Sequence, residues 1–431
     1  MTTSKDLKTE YLIIGNSAGG IGAAEAIREV DRKHPITIVS DEPYPAYSRP
    51  LISEYLSHER TLDEMLFRPV DFYERNNIDL KLATSVKRLD STARLVELDS
   101  GEKIAWKKLL LATGGTPIVP KMKGTDKKGV FQFLTLDDAK SIDKYLKDNS
   151  RAVVIGGGLI GVSVSEALTK RGIAVTIIEM KDRLLNTILD ERASAIAAEM
   201  VTGAGIRVIV SDTVSEVIGE QTVEGVVLAS GETIACDLVV IAIGVLPRTD
   251  LVKGTDIEIN RGVLVDRYMA TSHPDVYCCG DVAEAYDFVI NGNRLTPIWP
   301  NAYIGGRVAG YNMAGVKTEY GGGTTMNSVN YFGLEITSAG LVNPPDSNCE
   351  VITRDKDGIY QKVMLNDGKI IGMVFVKDID KSGLVFGLMR DRVDVSSFKQ
   401  SLLADDFGLA YMPRELWQER LWNVSLLVPK N

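Results

Sequence analysis

The chain has 431 residues, 45% apolar and 25% charged, with a net charge of −9. That is the composition of an ordinary globular protein of two to four domains, long enough to bury its cores without disulfides or metals. The acidic balance excludes generic nucleic-acid binding, which needs a basic surface, and no apolar run reaches the roughly 20 residues of a membrane helix.

In chain order, the polar first ten residues lack the apolar core of a signal peptide. Tyr11–Ile14 is a short apolar run, followed by Gly15-Asn-Ser-Ala-Gly-Gly20 and a helical pattern through Val30. A second β-rich run follows at Ile36 to Val39. The same order recurs about 140 residues later. Ala152–Ile155 leads into Gly156-Gly-Gly-Leu-Ile-Gly161, a helical pattern through Arg171, and a run from Ala174 to Ile178. Strand, glycine turn, helix and strand make a βαβ unit with a parallel strand pair. Two copies predict two dinucleotide-binding domains. Between them, Ile78 to Leu98 alternates short β-like runs with polar breaks, and Leu109 to Gly115 ends in a glycine turn. Leu238 to Gly244 repeats that ending, followed by Pro247. Gly321-Gly-Gly323 reads as a hinge before a C-terminal segment with strands near Val363 to Leu365 and Ile370 to Val376.

The second glycine motif is the more complete. Gly156 permits the tight turn, Gly158 lets backbone approach a pyrophosphate, and Gly161 allows close helix–strand packing. Leu159 and Ile160 open the helix, whose N-terminus favours phosphate. Glu179 closes the next strand, where an acid accepts from the ribose hydroxyls and repels a 2′-phosphate. That favours NAD(H) over NADP(H). Met180 and Arg183 follow, and Gly244 ends the neighbouring strand. In the first motif Ser17 takes the place of the second glycine, beside Ala18 and Gly19, and Ser40 stands where Glu179 stands in the other unit. Asp41 and Glu42 come directly after it, and one of them takes the ribose of an adenosine half.

These residues resemble the FAD-dependent pyridine nucleotide–disulfide oxidoreductase superfamily, and more narrowly its rubredoxin and ferredoxin reductase branch. Thr271 to Asp281 is similar to the second FAD motif, which implies that Asp281 bonds the ribityl chain. Leu111-Ala-Thr-Gly-Gly115 and Ile241-Ala-Ile-Gly244 match the paired turns near the two dinucleotides, placing Ala112, Thr113 and Gly114 on FAD. Tyr47-Ser-Arg-Pro-Leu51 matches the segment beside the flavin ring, with Arg49 and Pro50. Trp299 and Ala302 match a helix start near the flavin, and Val86 joins the FAD set. The resemblance implies an α/β chain of two Rossmann-like domains and a C-terminal α+β interface domain. FAD would hold 1–118 and 246–322, NAD 119–245, and the interface domain 323–431. Arg49, Thr113, Trp299 and Glu54 are the ring-site candidates; the flavin carries the chemistry.

Two departures narrow the function. Disulfide reductases of this family relay electrons through cysteine near the flavin, and use a C-terminal histidine; here no cysteine precedes Cys236 and no histidine follows His273. Cys278 and Cys279 read as buried structural thiols. A flavin-side lysine and its glutamate partner are replaced by Glu54 and Ser163, so either the charge near the flavin differs or Glu54 faces solvent. Lys121, Lys123, Lys127 and Lys128 form a basic loop cluster, solvated or steering an acidic partner. The apolar tail, with Phe407, Tyr411, Leu416, Trp417, Leu421 and Trp422, packs on the body or docks a partner.

The resulting expectation is a cytoplasmic FAD-dependent NAD(P)H oxidoreductase that exchanges electrons with a small iron–sulfur protein of ferredoxin or rubredoxin type. It needs no metal, nucleic acid or membrane. A homodimer is compatible with the resemblance without being fixed by it. The alternatives are an NADH oxidase reducing oxygen or peroxide, and a flavin subunit of a larger redox complex.

Overall fold

The computed structural model describes residues 7–148, 150–344, 348–414 and 416. Trp417, Leu421 and Trp422 of the apolar tail lie outside the described residues. Among those residues the helices are α1 (Ala18–Val30), α2 (Ile52–Leu56), α3 (Leu62–Met65), α4 (Phe72–Arg75), α5 (Leu136–Tyr145), α6 (Leu159–Lys170), α7 (Glu191–Gly203), α8 (Trp299–Met313) and α9 (Ser382–Arg390). None is long and apolar enough to cross a membrane.

The chain forms two compact units. The first takes the residues up to Asp182 together with Gly205–Thr324, and the second takes Arg183–Ala204 with the described residues from Thr325 on. The first unit carries two sheets with parallel centres, the first extended at one edge by the antiparallel strands Leu95–Leu98 and Val86–Asp90. In one, Ile78–Lys81, Ile36–Val39, Leu7–Ile14 and Lys103–Leu111 lie side by side, and Val276–Cys278 adds parallel to the last. In the other the order is Arg207–Val210, Ala174–Glu179, Arg151–Ile155, Leu238–Ile241 and Val130–Gln132. Both are all-parallel at their centres, so their strands are apolar on both faces. Leu12, Ile13, Leu109 and Leu110 are fully buried in one, and Val153, Val154, Val239 and Val240 in the other.

In each sheet the first strand of the βαβ unit sits centrally and hands the chain to its glycine turn. The turns share one construction. Gly15 has φ +119 and Gly156 φ +108, which a side chain rarely adopts. A methyl group at Gly15 would meet the Ala112 carbonyl oxygen at 2.1 Å, and one at Gly156 the Ala242 oxygen at 2.5 Å. The helix residues five further on, Gly20 and Gly161, lie as close to the turn itself: a methyl group there would fall 2.0 Å from Gly15 O and 1.9 Å from Gly156 O. Helices α1 and α8 cross at backbone distance, because Gly306 presses on Gly19 and Gly310 on Ala23.

The second unit is α+β. Its antiparallel sheet runs Met326–Tyr331, Leu334–Gly340, Lys369–Val376, Ile359–Asn366 and Glu350–Lys356. Val363, Met364, Met373, Val374 and Phe375 are buried to 1% exposure or less. Helix α7 lies in this unit although the sequence places it between two strands of the second parallel sheet. Phe407 is buried and stacks on Phe398, while Tyr411 is partly exposed.

Candidate functional site

The end of the first glycine turn is a convergence of four segments. Ser17 caps α1 without a side-chain cap bond, and the first turn of that helix carries no acid. A methyl group at Gly19 would meet Cys279 Sγ at 2.7 Å, Ala302 O at 3.4 Å and Ala112 Cβ at 3.6 Å. The start of α1, the turn after Leu111, the Cys279–Asp281 turn and the start of α8 are thus packed together. Cys279 is wholly buried with its thiol pushed up to about 12, and burial raises Cys278 as well. Both thiols are inert packing groups.

Asp281 follows directly. Burial pushes its carboxyl above the usual range, and the Arg49 guanidinium pulls it back. Arg49, in the short turn with Pro50, pairs with Glu42 and donates to Leu134 O at 2.9 Å. Burial opposes its charge, but Tyr47, Glu42 and Asp281 hold its pKa above the ordinary value. The Tyr47 hydroxyl donates to the other Glu42 oxygen at 2.6 Å and accepts from Leu136 N–H at 3.0 Å. Asp41 instead pairs with Arg248 at 2.7 Å in an exposed setting. The Thr113 hydroxyl donates to Arg248 O at 3.1 Å, and Gly114 O accepts from Arg248 N–H at 2.9 Å. Val86 opens an edge strand whose approach is pinned by the Thr84 N–H on Ser40 O. Trp299 is the first residue of α8, edge-on to Phe67 at 5.1 Å.

Glu54 is not drawn into this group. From α2 it pairs with Arg60 in the following loop, and both side chains are more than a third exposed.

The second turn gathers Gly156, Gly158, Leu159, Ile160 and Gly161 at the head of α6. A methyl group at Gly158 would meet nothing within 4 Å, so backbone there faces open space. Glu179 is 8% exposed at its strand end. One of its oxygens accepts from Gly157 N–H at 2.6 Å and the other from Lys181 N–H at 2.7 Å. Each oxygen keeps a lone pair for a further donor. Met180 beside it is 64% exposed. Gly244 ends the neighbouring strand's turn with φ +117. Arg183 belongs to the second unit, where its carbonyl accepts from Asn186 Nδ2 at 3.3 Å.

Both turns therefore fit a dinucleotide. Each offers an uncapped helix N-terminus reached by small residues, and each has a carboxylate at or just past the neighbouring strand's end. Among the described residues no cluster of histidine, cysteine and carboxylates suits a metal ion. Sequence reasoning gave no role to the Tyr47 hydroxyl or to Arg248. Tyr47 lay inside the matched Tyr47–Leu51 segment, and Arg248 follows the proline that ends the second of the paired turns; only the folded chain brings them to Glu42 and Asp41.

Comparisons with known proteins agree with this geometry. Residues 9–306 match the family model "Pyridine nucleotide-disulphide oxidoreductase", and residues 326–393 match "Rubredoxin NAD+ reductase C-terminal domain". The chain is 32% identical over 409 residues to the NADH-dependent phenylglyoxylate dehydrogenase subunit epsilon of Aromatoleum evansii, covering 93% of this chain and 96% of that one. It is 31% identical to the nitrite reductase [NAD(P)H] of Bacillus subtilis, covering 90% of this chain but only 48% of that longer protein. To the NADH-rubredoxin oxidoreductase of Clostridium acetobutylicum it is 30% identical over 86% of this chain and 92% of the relative. The crystal structure from that organism superposes with a TM-score of 0.74, covering 94% of this chain and 98% of the other. With a family model spanning well over half of its residues and the two nucleotide turns in place, the chain belongs to the pyridine nucleotide-disulphide oxidoreductase family and is an oxidoreductase that uses FAD and NAD(H).

Proposed function

We propose that this protein carries electrons between NAD(H) and a small iron–sulfur protein of rubredoxin or ferredoxin type. The observation that carries the reading is the pairing of two nucleotide turns in which the thiol packed beside the first, Cys279, is wholly buried and held protonated. Electrons leaving such a site have no dithiol relay to enter, so they pass to an external one-electron carrier. The C-terminal match to rubredoxin reductases and the C. acetobutylicum relative support the same partner class.

Bound FAD supplies the exchange between a two-electron hydride and single electrons. The chain supplies binding and electrostatics. Gly15, Ser17, Ala18 and Gly19 hold the FAD pyrophosphate at the head of α1. Glu42, steadied by Arg49 and Tyr47, takes the adenosine ribose; Asp41 is committed to Arg248. Asp281 accepts from the ribityl chain, and Arg49, Pro50, Val86, Ala112, Thr113, Gly114, Trp299 and Ala302 line the remainder. Gly156, Gly158, Leu159, Ile160 and Gly161 hold NAD(H), with Glu179, Met180, Arg183 and Gly244 around its adenosine half. The FAD domain is 1–118 with 246–322, the NAD domain 119–245 and the C-terminal domain 323–431. We place the protein in the cytoplasm, where its four free cysteines stay reduced.

Anaerobic stopped-flow tests this. NADH bleaches the flavin band faster than NADPH, and reduced protein is reoxidised faster by rubredoxin or ferredoxin than by oxygen. Reoxidation by oxygen alone makes the protein an oxidase instead. A second reading, a flavin subunit of a larger redox assembly, is favoured by the relative matched along its whole length, which is itself a dehydrogenase subunit. Isolation of the native protein with stoichiometric further chains would select it.

A further inference from the structure

Of the glycine run that the sequence marks as a hinge, Gly322 and Gly323 are held in place. Gly323 N–H donates to Tyr286 O at 3.0 Å, and Gly323 O accepts from Phe288 N–H at 3.2 Å. A methyl group at Gly323 would meet the Tyr320 hydroxyl oxygen at 2.5 Å and Asn301 Nδ2 at 2.6 Å, and one at Gly322 the Tyr286 ring at 2.8 Å. Tyr320 is 2% exposed, and its backbone is tied to Arg267 through both its N–H and its carbonyl, at 2.6 and 2.7 Å.

Behind this run lies a buried charge. Asp287 is fully buried; one of its oxygens accepts from Arg294 Nε at 2.6 Å and the other from Val289 N–H at 2.7 Å. Arg294 also donates to the Thr324 hydroxyl at 3.3 Å. Thr324 is itself buried, and its carbonyl accepts from Asn301 Nδ2 at 3.1 Å. Asn301 is the third residue of α8. Direct bonds therefore join Asp287 to the first turn of α8, and every link lies within the first unit. That turn of α8 in turn meets the other segments beside the first glycine turn. A methyl group at Gly280 would lie 3.5 Å from Ala302 Cβ, and one at Gly19 3.4 Å from Ala302 O. A buried ion pair contributes little net stability, so its use here is in fixing one arrangement.

We infer that Asn301, Thr324 and the Asp287–Arg294 pair are positioning residues for FAD: they set the start of α8, with Trp299 and Ala302, against the Gly19 and Asp281 turns. This rests on the FAD reading of the first glycine turn. Asn301 is the joint of the arrangement, because it bonds Thr324 and also fills the space that Gly323 leaves open. The hold is reciprocal: bound FAD stabilises the Gly323 and Thr324 contacts by the same factor that those contacts improve FAD binding.

The test is a cycle of Asn301→Ala, Thr324→Val and the double variant, each read by the FAD dissociation constant and the midpoint potential of the bound flavin. Thr324→Val keeps the shape of the side chain and removes only the link to Arg294. Each single variant weakens FAD about three- to tenfold, the range of one net hydrogen bond, and shifts the potential. The double variant binds FAD no more weakly than Asn301→Ala, since the Arg294 link acts through Asn301. Additive losses overturn the inference. A lower melting temperature with the parent's FAD constant and potential also overturns it, because the contacts are then structural only. Hydrogen exchange on the unaltered protein, with and without FAD, needs no variant. Slower exchange with FAD at 299–303 together with 288 and 323 supports the inference. Slower exchange at 17–21 without any change at 288 and 323 overturns it and leaves the FAD reading standing, whereas no change at 17–21 overturns that reading too.

Discussion

The two glycine turns share a frame and differ in what surrounds it. In both, the first glycine presses on the carbonyl of a neighbouring strand and the helix glycine presses on the first. The second position is Ser17 in one and Gly158 in the other, and the strand-end residue is Ser40 in one and Glu179 in the other. At the second turn a single carboxylate at the strand end holds both the turn, through Gly157 N–H, and the backbone beyond it, through Lys181 N–H. At the first those duties are divided. Ser40 engages through its backbone, and Glu42 two residues on is steadied by Arg49 and Tyr47. The shared frame suits a pyrophosphate at either turn; under the function proposed above, the surroundings separate a cofactor that stays from a substrate that leaves.

The frame predicts the largest effects. Gly20→Ala and Gly161→Ala each force a methyl group to within about 2 Å of a backbone oxygen. Each should cost about 2–3 kcal/mol by overpacking, seen in thermal melts. Their functional signatures should divide: Gly20→Ala yields protein depleted of FAD, and Gly161→Ala yields yellow protein that NADH no longer bleaches. Loss of FAD in both would break the assignment of one turn to each nucleotide. Next comes Glu179→Ala. It strands a buried Gly157 N–H, at about 1–3 kcal/mol, and removes the ribose acceptor. KM for NADH should rise on the order of tenfold or more with FAD content unchanged. Ser40→Ala should leave both constants within about twofold, since its contacts are made by backbone.

That contrast marks what the sequence made legible. The central strands, α1 and α6 could be read because a parallel strand buried on both faces is apolar throughout and a glycine turn punctuates it. Helix α1 ends at Val30 and the strand closes at Glu179, as the pattern implies. The different settings of Glu42 and Asp41 could not be read, because their partners, Arg49 and Arg248, are 7 and 207 positions away. Glu54 likewise depended on Arg60, which no motif flags. Nor does any local pattern in α7 show that it leaves the sheet it follows; the deciding partners, Tyr360 and Lys362, lie some 170 residues on.

A smaller effect sharpens the first site through pH. Asp281 has its carboxyl raised, chiefly by burial. A raised carboxyl binds its proton more tightly in the folded than in the unfolded chain, so its stabilising contribution is full below the ordinary carboxylate range and is lost as pH rises through the folded value. At neutral pH the ionised group is a burden on the FAD-free protein. Asp281→Asn should therefore melt higher than the parent when both are stripped of FAD at neutral pH, and the advantage should vanish under acid conditions. With FAD present the order should reverse, because the variant loses a charge-assisted acceptor. An unchanged FAD affinity would remove Asp281 from the cofactor site.

The smallest effect belongs to the second position of the first turn. Ser17 has φ −116, extended backbone open to any residue, and its hydroxyl makes no cap bond to α1. Restoring the motif with Ser17→Gly should change stability without FAD by only a few tenths of a kcal/mol. Any larger change must come from the cofactor. If the hydroxyl donates to a phosphate oxygen, FAD affinity should fall by about three- to tenfold, the range of a net hydrogen bond. The reciprocal Gly158→Ser should fill open space at the second turn at little cost to folding, and there the effect on NADH should be a higher KM, because a side chain stands where a pyrophosphate must come and go. Equal responses at the two turns would mean that serine is a neutral substitute for glycine in this frame. Opposite responses would mean that Ser17 is a retention device for a cofactor that does not leave.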